Sequence, residues 1–481
     1  MADVKIDPDT FCKRLNKLKD HWKEHTSGPW AGATSLSIVV GGASEDLRYL
    51  KSISLQLWLF GYELPDTIMV LTQSELHMLT SAKKAALLQP LVERCESDVH
   101  LKMIVHVKPK AEDGSEQMQT MISAMKGDNA EGAKVGMLPK DKHTGKVAEV
   151  YESVLDKSGL ELVDCHSGLA DLLAIKDPSE VLNVKKAAML ASKVMKDFVV
   201  PQIERIVDEN KKVKHSKLST ATEEAIVDPS KVNVKLRADN VDIAYPPIFQ
   251  SGGNYDLKVS AFSDDSNLHD GVILVSIGTR YASYCANISR TYVINPTKKQ
   301  EEEYNALLAA HETVMASLVD GARLADMVGK AAEVLRARGQ EHLVDRLGKN
   351  LGFGMGLEFR ESGHMLSAKN EGKAHAGMVF NVCIGVPDLV NPDAKDSRGR
   401  TYAYQIADTV VVPAVGKESE IATNACPRLW QKVSYTLKDD DEGDGDEVKL
   451  EDMTNGALPL RKTLRSDDPT YKSAEQLRKE K

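Results

Sequence analysis

Residues 243–294 and 351–413 are each rich in short β-branched runs, and a block of helical periodicity, 298–349, lies between them. Apolar residues that alternate by two make strands, and those that recur at three and four make helices, so the order of elements here is sheet, helices, sheet. That order restricts this part of the chain to an α+β domain with pseudo-symmetric halves. Upstream, LSIVVGG (36–42), DTIMVLTQ (66–73) and LKMIVHV (101–107) alternate with helical stretches such as SAKKAALLQPLVERC (81–95), which reads as an α/β lobe. Phe11, Leu15, Leu18 and Trp22 give a first helix over 10–22, with Asp7 or Asp9 as its cap. Pro178 starts the helix that opens the second domain. At 481 residues the chain exceeds what one core can hold. The expected division is an α/β lobe over 1–172, an α+β domain over 176–415 and an acidic, disordered linker or tail over 416–481.

Composition narrows the function classes. No apolar run approaches the length that spans a bilayer, and MADVKIDPDTF lacks the basic and apolar stretches of a secretory signal. The six cysteines, at 12, 95, 165, 285, 383 and 426, include no C-x-x-C pair, which suits a reducing compartment. The formal net charge of −9 opposes nonspecific DNA binding and favours basic partners. DDDEGDGDE, 439–447, places seven acids in nine positions and cannot bury apolar surface. KKVKHSK (211–217) is a local basic patch that reads as a solvated helix start.

NLGFGMGLEFRES, 350–362, raises a sharper question. Gly352, Gly354 and Gly356 alternate, whereas a phosphate loop needs G-x-G-x-x-G or a final Lys followed by Ser or Thr; Leu357 and Glu358 stand there instead. Alternating glycines fit a strand that backbone or ligand approaches closely.

The stretch VSIGTRYASYCANISRTYVI, 275–294, resembles the metal-binding hairpin of the pita-bread aminopeptidases, the family of methionine aminopeptidase, aminopeptidase P and creatinase. SGGN (251–254), SRT (289–291), AGMVF (376–380) and ADTVVV (407–412) follow the same pattern in order. The resemblance implies a creatinase N-terminal-like lobe followed by a pita-bread domain. It also implies five metal-ligand positions, and these fall on Ser276, Asn287, Phe353, Cys383 and Ala407. A pair of hard divalent ions needs several anionic oxygens, which Ser, Asn, Phe and Ala do not supply, and Cys383 alone makes no site. The expectation is an inactive peptidase scaffold without metal or other cofactor. The alternatives are a cysteine hydrolase using Cys383 with His375, and an RNA- or ribosome-binding protein of the same fold, which would carry a basic surface.

LQLWLFGYELPDTIMVLTQ, KKVKHSKLS, AYPPIFQSGGNYDLKVS and NLGFGMGLEFRES together are similar to the large-subunit family of the FACT histone chaperone. That resemblance implies a nuclear, chromosome-bound protein that reorganises nucleosomes during transcription elongation, replication and repair. Its partners would be core histones, their tails and nucleosomes. A smaller high-mobility-group-type subunit would join through parts beyond this chain, and this part would not bind DNA directly. Members of that family are longer, so the chain reads as an N-terminal portion. Candidate binding residues are Ser81, Lys83 and Lys84 on the first lobe and Arg290, Arg360, Glu361 and His364 along the old cleft. Trp58, Phe60 and Tyr62 are expected in core and domain interface.

Overall fold

The computed structural model describes residues 5–127 and 132–437; the acidic run 439–447 lies outside them. The first lobe contains β1 (Ser35–Val40), β2 (Thr67–Leu71), β3 (Glu75–Thr80), β4 (Lys102–Val107), β5 (Lys134–Met137) and β6 (Glu161–Asp164). Its helices are α1 (Pro8–Glu24), α2 (Lys51–Phe60), α3 (Ala82–Val99), α4 (Ser115–Lys126), α5 (Lys146–Asp156) and α6 (His166–Ala174). Asp7 accepts from the Thr10 N–H ahead of Pro8, so the expected cap and a pre-set φ start α1 together. The sheet order is β4-β3-β2-β1-β5-β6, with β2 antiparallel to both neighbours and the other pairings parallel. Every residue of α2 is buried, as its nearly continuous apolar sequence requires, and it ends at Gly61 in the left-handed region. Trp58 and Phe60 are core residues, whereas Tyr62, just past the helix end, is exposed.

The second lobe opens with α7 (Pro178–Val194), α8 (Val200–Asp208) and α9 (His215–Val227). A capping box of Asp177 and Glu180 fixes the start of α7. Then come β7 (Val241–Ser251), β8 (Val272–Tyr281), β9 (Tyr284–Ile294), α10 (Lys298–Ser317), α11 (Asp326–Ala337) and α12 (Glu341–Val344). β10 (Asn350–Gly354), β11 (Glu361–Ser367), β12 (Val379–Val390) and β13 (Thr401–Val411) complete the main sheet, ordered β11-β10-β12-β13-β9-β8-β7. The helices pack on it: α7 on β8 and β9, α9 on β7, α10 on β12 and β13, α11 on β10 and β11. This is the sheet–helix–sheet arrangement expected from the sequence.

The expected tail does not begin at 416. β14 (Glu420–Ile421) pairs with β13, α13 (Trp430–Val433) follows, and β15 (Ser434–Tyr435) pairs with β9. Cys426, Trp430 and Val433 are buried in the second lobe's core, so 416–437 extend that lobe, held by apolar side chains that the acidic composition further on obscured. A second apolar cluster crosses between the lobes. It joins Phe11, Trp58 and Leu172 of the first to Phe353, Met355 and Phe359 of the second. Among the described residues no helix is long and apolar enough to cross a membrane.

Candidate functional site

The five positions singled out by the resemblance lie on five adjacent strands, in the order β10, β12, β13, β9, β8. Antiparallel register brings them together: Ser276 faces Ser289, Ala407 faces Ser289 from the other side, and Cys383 faces Ala407. Asn287 reaches the neighbourhood of Phe353 through Asn381, which pairs with Phe353 in the sheet. A sequence spacing of eleven thus becomes proximity because β8 and β9 form one tight hairpin.

The centre of this cluster is filled. Ser276 Oγ and Ser289 Oγ lie 2.8 Å apart, and each donates to Gln405 Oε1, at 3.1 and 3.2 Å. Asn287 Nδ2 donates to Asn381 Oδ1 at 3.0 Å, and its Oδ1 accepts from the Tyr245 hydroxyl at 2.6 Å. The Tyr245 ring lies against Gly278, where a Cβ would come within 2.4 Å of it, so only glycine admits the ring. Phe353 packs edge-on against Phe359 with centroids 5.5 Å apart, and Phe359 meets Tyr245 at 5.1 Å. Among the described residues no group of three His, Cys, Asp or Glu side chains is placed to hold a metal ion.

Cys383 does not have the surroundings of a nucleophile. Burial pushes its thiol up to about 12, against the opposing pull of a hydrogen bond with Gln405. Among the described residues no histidine hydrogen-bonds it, and His375 Nδ1 sits 3.7 Å from Asp320.

The binding candidates separate into two groups. Ser81 and Lys83 are exposed and Lys84 half-buried at the start of α3, and Arg360 is exposed with its guanidinium 5.6 Å above the Phe353 ring. Contrary to the expectation that they border an open cleft as ligand contacts, Arg290, Glu361 and His364 are buried. Arg290 is 0% exposed and forms an ion pair with Asp408 at 2.8 Å; its remaining N–H groups donate to the carbonyls of Ser289, Ala407, Cys426 and Pro427. All of its donors are therefore used internally. Glu361 pairs with Lys176, while Glu358 pairs with Lys51 across the lobe interface. Burial raises both carboxyls above the ordinary range, and the lysines oppose the rise. Burial likewise lowers His364 to about 4.

Tyr245, Asn381, Gln405 and Asp408 were missed. Asp408 did leave a signal: an aspartate inside the apolar run ADTVVV needs a buried cation, and Arg290 in SRT is the cation that the hairpin supplies.

His311, beside this pair, gives a pH expectation. Its Nε2–H donates to the Val382 carbonyl at 3.2 Å, and its Nδ1 has no partner. Burial lowers it from 6.5 to about 4, although Asp408 pulls the other way. A histidine kept neutral stabilises the fold fully above its unfolded value, and that stabilisation fades as pH falls from 6.5 towards 4, amounting to about 3 kcal/mol over the window. Urea midpoints measured across this range should fall with pH in the parent, with a shallower fall in His311→Gln.

The described residues form cavities as well, among them two that differ in position. One of about 630 Å³ lies between the lobes, lined by Arg14, Glu63, Asp242, Arg280 and Tyr284 among others. The other, about 360 Å³, lies wholly in the first lobe beside Ser81 and Lys84.

Comparison with known proteins follows the same two lobes. Residues 6–168 match the model of the FACT complex subunit SPT16 N-terminal lobe domain, and 183–414 match that of metallopeptidase family M24. FACT complex subunit SPT16 of Zea mays is 40% identical over 479 residues, 99% of this chain and 45% of the relative. Its Arabidopsis thaliana counterpart is 41% identical over 99% of this chain and 44% of the relative. The chain thus spans a little under half the length of these relatives. The solved N-terminal domain of FACT complex subunit SPT16 from Cicer arietinum superposes with a TM-score of 0.85 at 38% identity, covering 90% of this chain and 100% of that one. A prolidase from Thermococcus sibiricus, at 19% identity, shares the fold with a TM-score of 0.62 over 88% of this chain and 98% of its own.

Proposed function

Because the chain belongs to the family of FACT complex subunit SPT16, and corresponds to its N-terminal domain, we propose that it is a histone-binding module of that chaperone without peptidase activity. The observation that carries the reading is the match of both lobes, in order, to one solved N-terminal domain of such a subunit. On this reading the protein works in the nucleus on chromosomes, with core histones, their tails and nucleosomes as partners. The smaller high-mobility-group-type subunit joins through the remainder of the full-length protein. The net charge of −9 supports attraction of Lys- and Arg-rich tails, weakened by salt, and opposes direct DNA binding. Ser81, Lys83, Lys84 and Arg360, which reach the surface, are the proposed contact residues.

We also propose that Ser276, Asn287, Phe353, Cys383 and Ala407 stand where a peptidase of this fold holds its metal ions. The support is chemical: their side chains bring no carboxylate, and the polar atoms of Ser276 and Asn287 are satisfied by Ser289, Gln405, Tyr245 and Asn381. Purified protein dialysed against manganese, cobalt or zinc is expected to retain no stoichiometric ion and to leave Xaa-Pro dipeptides uncut. Stoichiometric metal with turnover would return the chain to the enzymes. Calorimetric titration with core histone pairs and isolated tails at two salt concentrations tests the binding itself. Binding that weakens with salt supports the module, and no binding at low salt rejects it.

A further inference from the structure

We propose that the cavity at the start of α3 is a phosphoryl pocket that takes a phosphorylated serine or threonine carried on a basic peptide. The cavity holds about 360 Å³ and is lined by Lys84, Lys108 and Lys146, with Ser81, Asp66 and Asp113. Its position follows from the topology. β3 ends at Thr80 and β4 at Val107, so Ser81 and the first turn of α3, with Lys84, follow the one, Lys108 follows the other, and α5 begins with Lys146. Open α/β sheets present ligand sites at these carboxyl ends of their strands.

The three ammonium groups have no carboxylate in ion-pair contact among the described residues. Lys84 donates to the Pro65 carbonyl, and Lys108 donates to the carbonyls of Pro109 and Glu112, at 3.1 and 2.9 Å. An ammonium has three protons, so both keep donors to spare. Burial holds Lys84 below the ordinary lysine range, a state that an anion in the cavity relieves. Ser81 makes no side-chain capping bond to α3, which leaves its hydroxyl available.

Two carboxylates share the lining, and they shape the specificity. Asp113 accepts from the Ser115 N–H at 2.9 Å, and Asp66 lines the cavity close enough to Lys84 to favour its charged form. A purely acidic peptide would meet both, whereas a basic peptide with one phosphoryl group satisfies lysines and carboxylates together. A nucleic-acid backbone needs cations spread along a track. Here they surround a single space on a chain of net charge −9.

The inference rests on reading Ser81 and Lys84 as contact residues and adds the chemistry they recognise. The test is fluorescence anisotropy of a labelled Lys- and Arg-rich peptide, with and without one phosphoserine, on the full 481-residue chain. The phosphorylated form is expected to bind about tenfold tighter, with inorganic phosphate as competitor and the preference lost in both Lys84→Met and the more exposed Lys146→Met. Equal binding of the two peptides, a preference that survives both substitutions, or competition by duplex DNA stronger than by phosphate would each overturn the proposal. Core-histone binding measured on the same samples reports separately on the histone reading. Its loss with an intact phosphopeptide preference would reject that reading alone.

Discussion

Replacing Arg290 with methionine is expected to cost about 3–5 kcal/mol, enough to unfold much of the second lobe at ordinary temperature. The cost comes less from the ion pair than from what is left behind. Asp408 would remain at 0% exposure with only Thr423 and the distant imidazole of His311 near its oxygens, and four carbonyls would lose the guanidinium N–H groups they accept from. A buried charge without its partner is far more costly than a buried pair. Asp408→Asn, which keeps the shape and one acceptor, should cost less. Guanidinium unfolding followed by far-ultraviolet circular dichroism compares the two. A loss below about 1 kcal/mol for Arg290→Met would mean that water reaches Asp408 and that the pair is not closed as described.

Gly352→Ala should be nearly as damaging, at about 2–4 kcal/mol. Gly352 has φ +141°, and a Cβ there would lie 2.1 Å from the Asn381 carbonyl oxygen. The obstacle is backbone, so no side chain can swing aside; β10 would have to leave β12. Gly329 is the control: it lies in α11 with open space around it, and alanine there should raise stability by up to about 1 kcal/mol. Similar effects at both positions would refute the account of the alternating glycines.

Those glycines show what the sequence makes legible. Their spacing points to a closely approached strand, which β10 is, because a missing Cβ is a local property that a single chain displays. The long apolar runs declare β1, β2, β4, β8 and β9 for a similar reason. β5, KVGM, and β6, ELVD, pass unnoticed, being four residues each with polar ends and little branching. At the site, the convergence of Ser276, Asn287, Phe353, Cys383 and Ala407 is recoverable from motif order. The burial of Arg290, Glu361 and His364 is not: each is withdrawn from solvent by a partner more than a hundred residues away or by the other lobe, and no local pattern records that.

The apolar cluster and the Lys51–Glu358 pair that join the lobes carry one more consequence. A boundary near residue 175 is a boundary in topology but not in cooperativity. Cutting the chain there would strand Lys51 on one fragment and Glu358 on the other, each without its buried partner. It would also leave Phe353, Met355 and Phe359 without the surface that shields them, so the two lobes should melt as a single unit and be inherited, expressed and engineered as one.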